Sequence, residues 1–591
     1  MPSPRLCEPA TLRRLAAGEL VGSREPDGTL AWRGIRYAAP PVGRLRWRAP
    51  QAPAPHQGVF QALAHGPMAP QFAGLLAGMP ARMNGQLVGD EDCLSLNVYA
   101  PPGDVRQRPV MVWIHGGGLA VGTSQTYDAA RKLALHDGVV VVTINYRLGV
   151  LGWFTHPALA EADGASPAER SGNFGLLDQI AALHWVRDNI EAFGGDPGCV
   201  TIFGESAGGQ SVLLLLASPL AAGLFHRAIA QSPVSETFAP EAAVNGMDSP
   251  LDSRHCGSLE VTARCQVAAG LAADTRAARE QLGRMPATEV AAFLRGLTSA
   301  QLLAVHAPGS VGIYLTPRPA RDGHVLPAMP LPEVFASSSW NRVPVIMGSN
   351  RDEVRTFLAD KPEHSRLLGG KLPLLRDRQA YLAESGYQSR AWRALHMDAI
   401  ANAMAAGGHV DLWTYRFDWD ELLPLPFVRP DLLLGAAHGM EMAFAFHDPS
   451  EEYDIFNVAT PFNRASRRMI ADALGSAWSS FARDGVPTPH GGATWTRRPI
   501  AGTAPDSLVF DSVRGGGVRM AAARQDIQQL KAALADDPAI ASPTLRCAIY
   551  ARLYLWHPLF EGHGNEAEYQ QWCERLGCTQ PASAFRPKLE V

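Results

Sequence analysis

The stretch Val200-Thr-Ile-Phe-Gly-Glu-Ser-Ala-Gly-Gly209 decides how the rest of the chain is arranged. An apolar, β-branched run ends at Gly204, and a leucine-rich run typical of a helix extends from Gln210 to Ala217. Between them lies the pentapeptide G-x-S-x-G, which is typical of a sharp strand-to-helix turn that lifts a serine hydroxyl out of a sheet. The helix that follows supplies unpaired N–H groups and a positive dipole end beside Ser206. The pentapeptide alone is a weak signal, so the other parts must be sought elsewhere in the chain.

Alternating strand and helix patterns surround this turn. Apolar runs predict strands at residues 109–115, 139–146, 228–232, 343–349 and 409–417. Helices are predicted at residues 129–136, 176–193, 463–484 and 525–535. Buried strands that alternate with helices indicate an α/β fold with a large, mostly parallel sheet covered on both faces. Residues 233–341 show helix and loop patterns, and we expect them to form insertions over the active edge of the sheet.

Composition sets limits on the class of protein. The 591 residues are 46% hydrophobic and carry a net charge of −4, which is ordinary for a globular protein with a large core. This slightly acidic balance gives no reason to expect nucleic acid or an anionic membrane as a partner. No apolar run approaches the roughly 18–20 residues that span a bilayer. Residues 12–20 are interrupted by charges and predict an amphipathic helix at most, not a leader peptide, so we expect a cytoplasmic protein.

The cysteines give no sign of a metal or redox motif. The chain has eight cysteines and no C-x-x-C pair. Cys573 and Cys578 are close in sequence but have no recognised ligand spacing, so we expect buried thiols. The sequence therefore predicts no metal ion and no organic cofactor.

A glycine run provides a candidate site for binding an oxyanion. His115-Gly-Gly-Gly118 directly follows a predicted buried strand, where residues without side chains let backbone N–H groups point to one spot. This HGGG pattern is typical of one half of an oxyanion hole, and the N–H after the nucleophile, here Ala207, forms the other half. A phosphate-binding loop would need G-x-x-x-x-G-K-[ST] or G-x-G-x-x-G, and this run has neither pattern.

The acid and the base of a serine hydrolase should follow the nucleophile, each after a later strand. Asn350-Arg-Asp-Glu353 follows the strand predicted at 343–349, and nothing local separates Asp352 from Glu353 as the acid. For the base, Gly435-Ala-Ala-His438 follows the strand predicted at 409–417. His438 combines small neighbours with this late position, unlike His409, His447 and His490, although a structural histidine is an equal alternative.

Several linked motifs resemble the type-B carboxylesterases of the cholinesterase/carboxylesterase family, which have the α/β-hydrolase fold. The resemblance extends from about residue 22 to about residue 518. It rests on Phe203-Gly-Glu-Ser-Ala-Gly-Gly209, Glu91-Asp-Cys-Leu-Ser-Leu-Asn97, Asn145-Tyr-Arg-Leu-Gly149, Asn173-Phe-Gly-Leu-Leu-Asp-Gln179 and Ala192-Phe-Gly-Gly-Asp-Pro197.

The resemblance implies a role for each candidate residue. Ser206 would be the nucleophile, Glu353 the acid and His438 the base, with Gly117, Gly118 and Ala207 as oxyanion donors. Glu205 matches a position beside the nucleophile and Ser232 one below the histidine. Arg46–Glu91 and Arg147–Asp178 match ion pairs. Cys93 matches a cysteine that is usually disulfide-bonded, but Ala69 stands at its partner's position, and Cys256 and Cys265 fall too early for the second family disulfide. These losses are typical of a reducing compartment.

The resemblance predicts one α/β-hydrolase domain over residues 1–591, with a C-terminal extension at 525–591 that packs on the core or forms a subunit contact. The expected activity is hydrolysis of a small-molecule carboxylic ester by water through an acyl-enzyme. The same residues would also suit a lipase, an amidase or a carbamate hydrolase. A non-catalytic binding protein of this fold is disfavoured because all the catalytic residues are present. The sequence does not indicate the oligomeric state.

Overall fold

The computed structural model describes residues 6–586 except 104, 163, 246–255, 310–311, 369–371, 425–427, 449–457, 501, 503, 558 and 561. Its strands, in chain order, are β1 Arg13–Leu15, β2 Gly18–Val21, β3 Ser23–Arg24, β4 Leu30–Arg36, β5 Val59–Gln61, β6 Gln71–Phe72, β7 Leu87–Val88, β8 Ser95–Ala100, β9 Arg108–Ile114, β10 Val140–Ile144, β11 Gly195–Glu205, β12 Arg227–Gln231, β13 Val345–Asn350, β14 Ser365–Leu368, β15 Leu372–Leu375, β16 Leu412–Phe417, β17 Ser507–Phe510 and β18 Arg519–Ala521.

Helices connect and cover these strands. They are α1 Ala130–Asp137, α2 Gly149–Gly152, α3 Pro157–Ala162, α4 Pro167–Arg170, α5 Phe174–Asn189, α6 Ala207–Ala217, α7 Pro240–Asn245, α8 Ser258–Ala268, α9 Thr275–Leu282, α10 Ala287–Gly296, α11 Ser299–Leu303, α12 Leu331–Ala336, α13 Arg355–Leu358, α14 Arg378–Trp392, α15 Ala399–Ala406, α16 Pro430–Leu433, α17 Met442–Ala445, α18 Arg464–Asp484, α19 Ile527–Asp536, α20 Pro543–Ala551 and α21 Glu566–Leu576. Two π-helical segments, Arg393–Asp398 and Arg552–Trp556, directly follow α14 and α20.

An eleven-stranded sheet forms the centre, in the order β18-β17-β16-β13-β12-β11-β9-β10-β8-β4-β3. The seven strands from β17 to β10 in this order pair in parallel, whereas both outer groups pair antiparallel. The central strands are apolar and buried on both faces, as in β10, where all five residues are buried. A parallel sheet needs this burial because its crossover helices cover both faces. The predicted α/β-hydrolase architecture is confirmed.

The chain near the N-terminus differs from the prediction. Residues 12–20 were predicted to form at most an amphipathic helix, but β1 and β2 form an antiparallel pair there, and β5 adds to β2. Gly18 adopts a φ of 135°, a conformation that L-residues with side chains rarely adopt. The turn at Gly18 is incompatible with a continuous helix. Arg13, Arg14 and Glu19 therefore lie on strands of a small sheet.

The C-terminal extension packs on the core. Helices α19 and α20 contact α14, and an apolar cluster combines Leu534, Ile549 and Phe560 of the extension with Tyr387 and Trp392 of the core. The extension therefore makes the core contact that was one of the two roles left open by the sequence. In the part of the chain that the structure describes, we find no helix with the length and apolarity needed to cross a bilayer.

Candidate active site

Ser206 lies at the turn between β11 and α6, above the carboxyl edge of the parallel sheet. Its backbone has φ 59° and ψ −121°, a strained conformation for a residue with a side chain. The amide of Ser206 donates to the carbonyl of Gln231 at 2.9 Å, which fixes the turn against β12. The serine is thus the residue before the first turn of an eleven-residue helix, whose N-terminus carries a partial positive charge.

Two glycines of the pentapeptide allow this turn to lie against β9. A Cβ atom on Gly208 would lie 2.0 Å from the carbonyl oxygen of Ile114, and one on Gly204 would lie 2.6 Å from the same oxygen. Such separations are far shorter than van der Waals contact, so the requirement for glycine comes from the close approach of two backbones. The turn therefore lies directly beside the loop that follows Ile114.

The loop from His115 to Gly118 is held through hydrogen bonds to its carbonyl groups. The carbonyl of Gly117 accepts from Ala120 and Val121, and that of Gly118 accepts from the Arg318 guanidinium at 2.9 Å. The amides of Gly117, Gly118 and Ala207 donate no hydrogen bond to any of the described residues. Gly117 has a φ of 105°, and a Cβ there would lie 2.0 Å from the Val121 carbonyl.

The contacts of His115 indicate a structural role for this residue. Tyr146 donates its hydroxyl proton to the His115 carbonyl at 2.7 Å and stacks on the imidazole with a centroid separation of 4.6 Å. Burial, only partly offset by a hydrogen bond to the Gly116 carbonyl, lowers the pKa of His115 to about 4. A neutral imidazole at this position leaves the glycine amides as the positive groups of the loop.

Glu353 and His438 form a short contact. The Oε2 atom of Glu353 lies 2.6 Å from Nδ1 of His438, and both side chains are buried. The second oxygen of Glu353 accepts from the amide of Asn350 at 2.7 Å, so the carboxylate is held at both ends. The amide of His438 also donates to the carbonyl of Glu353 at 3.2 Å.

Asp352, the alternative acid, faces other partners. Its carboxylate accepts from the Ala436 amide at 3.0 Å and pairs with the guanidinium groups of Arg351 and Arg355 at 2.8 and 3.0 Å. These contacts direct Asp352 away from the imidazole and stabilise the loop that carries His438. The structure therefore brings Glu353, and not Asp352, to the histidine.

The other side of the imidazole faces Glu205. Nε2 of His438 lies 3.1 Å from Oε1 of Glu205, but neither atom has a hydrogen-bond partner among the described residues, so the contact is electrostatic. Burial is the largest influence on the pKa of Glu205, which is raised to about 8 with help from Glu441 and Glu353. Burial alone would lower the pKa of His438, but the negative fields of Glu205 and Glu353 outweigh it and raise this pKa to about 9.

A buried polar network that the motifs did not identify lies behind these groups. Glu441 accepts from the side-chain amide of Asn350 at 2.6 Å and from that of Gln231 at 3.3 Å. Trp478 in turn donates to Gln231 at 3.0 Å. Burial, followed by the charge of Glu353, raises the pKa of Glu441. The sequence offered only one signal, the position of Glu441 three residues after His438.

Ser232 lies at the end of β12 in a buried, left-handed conformation with φ 44°. Its amide donates to the Gly348 carbonyl at 2.8 Å, and its hydroxyl oxygen has no hydrogen-bond partner among the described residues. The suggested position below the histidine therefore stays a prediction.

A small cavity opens beside Ser206 and His438. Its walls include Leu75, Leu76, Ile313, Phe357 and Met442. Most of this surface is apolar, and polar groups meet it at Ser206, Glu205, His438 and the glycine loop. Leu75 and Leu76 belong to the short 3-10 turn Leu75–Ala77, so this turn contributes to the cavity wall.

Other predicted contacts occur as expected. The side chains of Arg46 and Glu91 approach to 2.5 Å, and those of Arg147 and Asp178 to 2.7 Å. All eight cysteines, each within the described residues, are free thiols.

Comparisons with known proteins agree with this architecture. The family model described as "Carboxylesterase family" matches residues 10–373. The chain is 34% identical to the para-nitrobenzyl esterase of Bacillus subtilis over 484 residues, which cover 80% of this chain and 89% of that protein. It is 32% identical to the fumonisin B1 esterase of Sphingopyxis macrogoltabida over 538 residues, 86% of this chain and 88% of that protein.

Solved structures give the same result. A para-nitrobenzyl esterase structure superposes with a TM-score of 0.61 at 30% identity, and the match covers 85% of this chain and 96% of the other. A carboxylesterase structure from Geobacillus stearothermophilus gives a TM-score of 0.61 at 28% identity with the same coverage.

Proposed function

Because this chain belongs to the carboxylesterase family and is a carboxylic ester hydrolase, we propose that Ser206 is its nucleophile, His438 its general base and Glu353 the acid that orients the base. The observation that carries this proposal is the 2.6 Å contact of Glu353 with Nδ1 of His438, in a cavity that both His438 and Ser206 line. A carboxylate on Nδ1 fixes the tautomer that leaves Nε2 able to accept a proton.

Acylation begins when Ser206 Oγ attacks the ester carbonyl carbon. His438 Nε2 takes the hydroxyl proton as the C–O bond forms, and Glu353 stabilises the imidazolium. The carbonyl oxygen becomes an oxyanion, and the amides of Gly117, Gly118 and Ala207 stabilise it. The imidazolium then gives its proton to the leaving alkoxide, so an alcohol departs and an acyl-serine remains.

Deacylation repeats the sequence with water as the nucleophile. His438 removes a proton from water, and the hydroxide attacks the acyl carbon. The second tetrahedral intermediate collapses as His438 returns the proton to Ser206 Oγ, which releases the carboxylic acid. No metal or organic cofactor enters either step.

The bonding of the glycine loop supports its role as the oxyanion hole. Arg318 and the amides of Ala120 and Val121 donate hydrogen bonds to carbonyls of this loop and so fix its peptide planes. Among the described residues, the N–H groups of Gly117 and Gly118 have no acceptor. Hydrogen-bond donors that are fixed in advance need no reorganisation as negative charge develops on the substrate oxygen. Stabilisation by such donors is usually the largest single contribution to catalysis.

Glu205 and Ser232 are proposed to act on the catalytic residues rather than on the substrate. Glu205 increases the basicity of His438 through its charge, in line with the raised pKa of about 9. Ser232, whose hydroxyl has no hydrogen-bond partner among the described residues, is proposed to support the histidine from below.

The apolar walls of the cavity suit esters with apolar groups. Leucine, isoleucine, phenylalanine and methionine side chains form its walls. The name of the Bacillus relative concerns an aromatic ester, para-nitrobenzyl. We therefore propose small to medium aryl and alkyl esters as substrates in preference to long-chain lipids.

A panel of aryl esters of increasing acyl length, together with one aryl amide, tests this proposal. Wild type should hydrolyse short and medium esters much faster than the amide, and Ser206→Ala should lose the activity. Retention of most esterase activity by Ser206→Ala would contradict the assigned nucleophile. A rate that rises abruptly when the substrate forms micelles would indicate a lipase.

The domain organisation and the compartment are also proposed. The shared apolar cluster between α14 and the extension supports a single folded domain over the whole chain. Eight free thiols support a reducing compartment such as the cytoplasm. Thiol labelling of the protein in fractionated cells tests the compartment, since an oxidising location would produce disulfides.

A further inference from the structure

Three cysteines meet in the C-terminal extension. The Sγ atoms of Cys547, Cys573 and Cys578 all lie within 4.8 Å of one another. Cys547 and Cys578 are buried, and Cys573 is partly exposed. Such a group has no part in the proposed ester hydrolysis.

The fold explains how residues so far apart in sequence meet. Cys547 lies within α20, and Cys573 lies in the last turn of α21. Gly577 ends α21 with a φ of 72°, and the amide of Cys578 then donates to the carbonyl of Cys573 at 3.0 Å. This reversal brings the thiol of Cys578 back beside that of Cys573, and α20 adds the third thiol.

We propose that these three thiols form a binding site for a soft, thiophilic cation of the class of Cu⁺ and Zn²⁺. Thiolates select these ions over hard cations. A metal–sulfur bond of about 2.3 Å places two thiolates on one ion about 3.8 Å apart, so small side-chain rotations suffice. Binding releases the thiol protons to solvent and forms three metal–sulfur bonds, without any oxidation.

The surroundings suit a structural ion. The hydroxyl of Tyr569 donates to the Gln580 carbonyl at 2.8 Å, and the thiol of Cys573 points to the same oxygen at 3.9 Å. This contact holds the segment after α21 against the helix before any ion is bound. The partly exposed side of Cys573 gives an ion access from solvent. A bound ion would join α20, α21 and this segment at one point.

The test uses the full chain, reduced and stripped of metal with a chelator. It is titrated in separate experiments with Cd²⁺, as a spectroscopic substitute for Zn²⁺, and with Cu⁺. We expect one ion per chain by elemental mass spectrometry and a thiolate-to-metal charge-transfer band in the ultraviolet. The thermal midpoint should rise with the ion concentration, because the ion binds the folded state.

Variants locate the site. Cys573→Ser, at the most exposed ligand, should weaken binding at least about tenfold and remove the rise in thermal midpoint. Cys578→Ser should do the same, whereas Cys7→Ser and Cys199→Ser should bind like wild type. Equal stoichiometry and affinity in Cys573→Ser and wild type would overturn the proposal. So would a Cys573–Cys578 disulfide, found by mass spectrometry, that forms even in the presence of the ion.

Discussion

The Nε2 atom of His438 lies 3.1 Å from the Oε1 atom of Glu205, on the side of the imidazole opposite Glu353. The histidine is thus placed between two buried carboxylates, whose fields raise its pKa to about 9 despite burial. Because Glu205 has its own pKa raised to about 8, chiefly by burial, the two groups exchange protons with solvent as a coupled pair.

Replacement of Glu205 should move the pH profile of the enzyme. Glu205→Gln removes a negative field from the imidazole, so the pKa of His438 falls and the acid limb of kcat/KM shifts to lower pH. The measurement is kcat/KM for an aryl ester against pH in wild type and variant. A shift to higher pH, or none, would contradict the electrostatic role, and Glu280→Gln, on an exposed helix, is the control.

The same pair should make stability depend on pH. The folded-state pKa of His438 lies above the ordinary value of 6.5, so its contribution is complete below about 6.5 and is lost as the pH rises through about 9. Glu205 has a raised pKa as well, so folding becomes less favourable as the pH rises from about 4.5 through about 8. Urea unfolding at pH 6 and pH 9.5 should show a smaller loss for Glu205→Gln than for wild type. An equal loss would contradict the assignment.

The strained turn at Ser206 should trade stability against activity. Ser206→Ala is expected to lower kcat by about 10⁴-fold or more. Ser206→Gly should be similarly inactive but more stable than Ser206→Ala by about 1 kcal/mol, because glycine relieves the strain of a positive φ. Thermal unfolding of the two inactive variants checks this, and lower stability of the glycine variant would show that the turn is not strained.

The close approach at Gly208 should make this position intolerant of a side chain. A Cβ there meets the Ile114 carbonyl at 2.0 Å, so Gly208→Ala should fail to fold or lose both stability and esterase activity. Gly386→Ala, in helix α14 with nothing within 4 Å of its Cβ position, is the matched control and should stabilise by about 0.5–1 kcal/mol. Soluble yield and thermal midpoint distinguish them; a normal Gly208→Ala protein would refute the steric argument.

The buried pair Arg147–Asp178 should matter far more than an exposed pair. Both side chains are almost inaccessible to solvent, and the Asp178 carboxylate accepts hydrogen bonds from the guanidinium and the backbone amide of Arg147. Asp178→Asn leaves a buried charge without its partner and should cost about 3–5 kcal/mol of unfolding free energy. Glu280→Gln breaks the exposed pair with Arg276 and should cost less than about 0.5 kcal/mol. Similar costs in denaturant titrations would contradict this difference.

Local sequence predicted the strands that carry the site because their apolar runs are continuous and their turns contain glycine. It left Asp352 and Glu353 undecided, since two adjacent carboxylates look alike until the fold orients them. In the structure, the Ala436 amide and two arginines bind the Asp352 carboxylate, whereas the Glu353 carboxylate contacts His438. The resemblance had indicated the same residue.

Contacts between distant segments escaped prediction. The bonds from Gln231 and Asn350 to Glu441 join the ends of β12 and β13 to the segment before α17, and no local pattern marks them. Cys547 meets Cys573 and Cys578 through the packing of α20 on α21, whereas sequence spacing showed only the last two as neighbours. Residues 12–20 were predicted to form an amphipathic helix at most, but a turn at Gly18 and strand pairing determine their structure.

Aromatic side chains connect the C-terminal extension to His438. The ring centroids of Trp392 and His438 lie 5.0 Å apart, and those of Trp392 and Phe560 lie 6.4 Å apart. A truncation or a domain fusion before Phe560 would therefore change packing two rings away from His438, the proposed general base. Shortening the C-terminal tail is expected to disturb the surroundings of that imidazole.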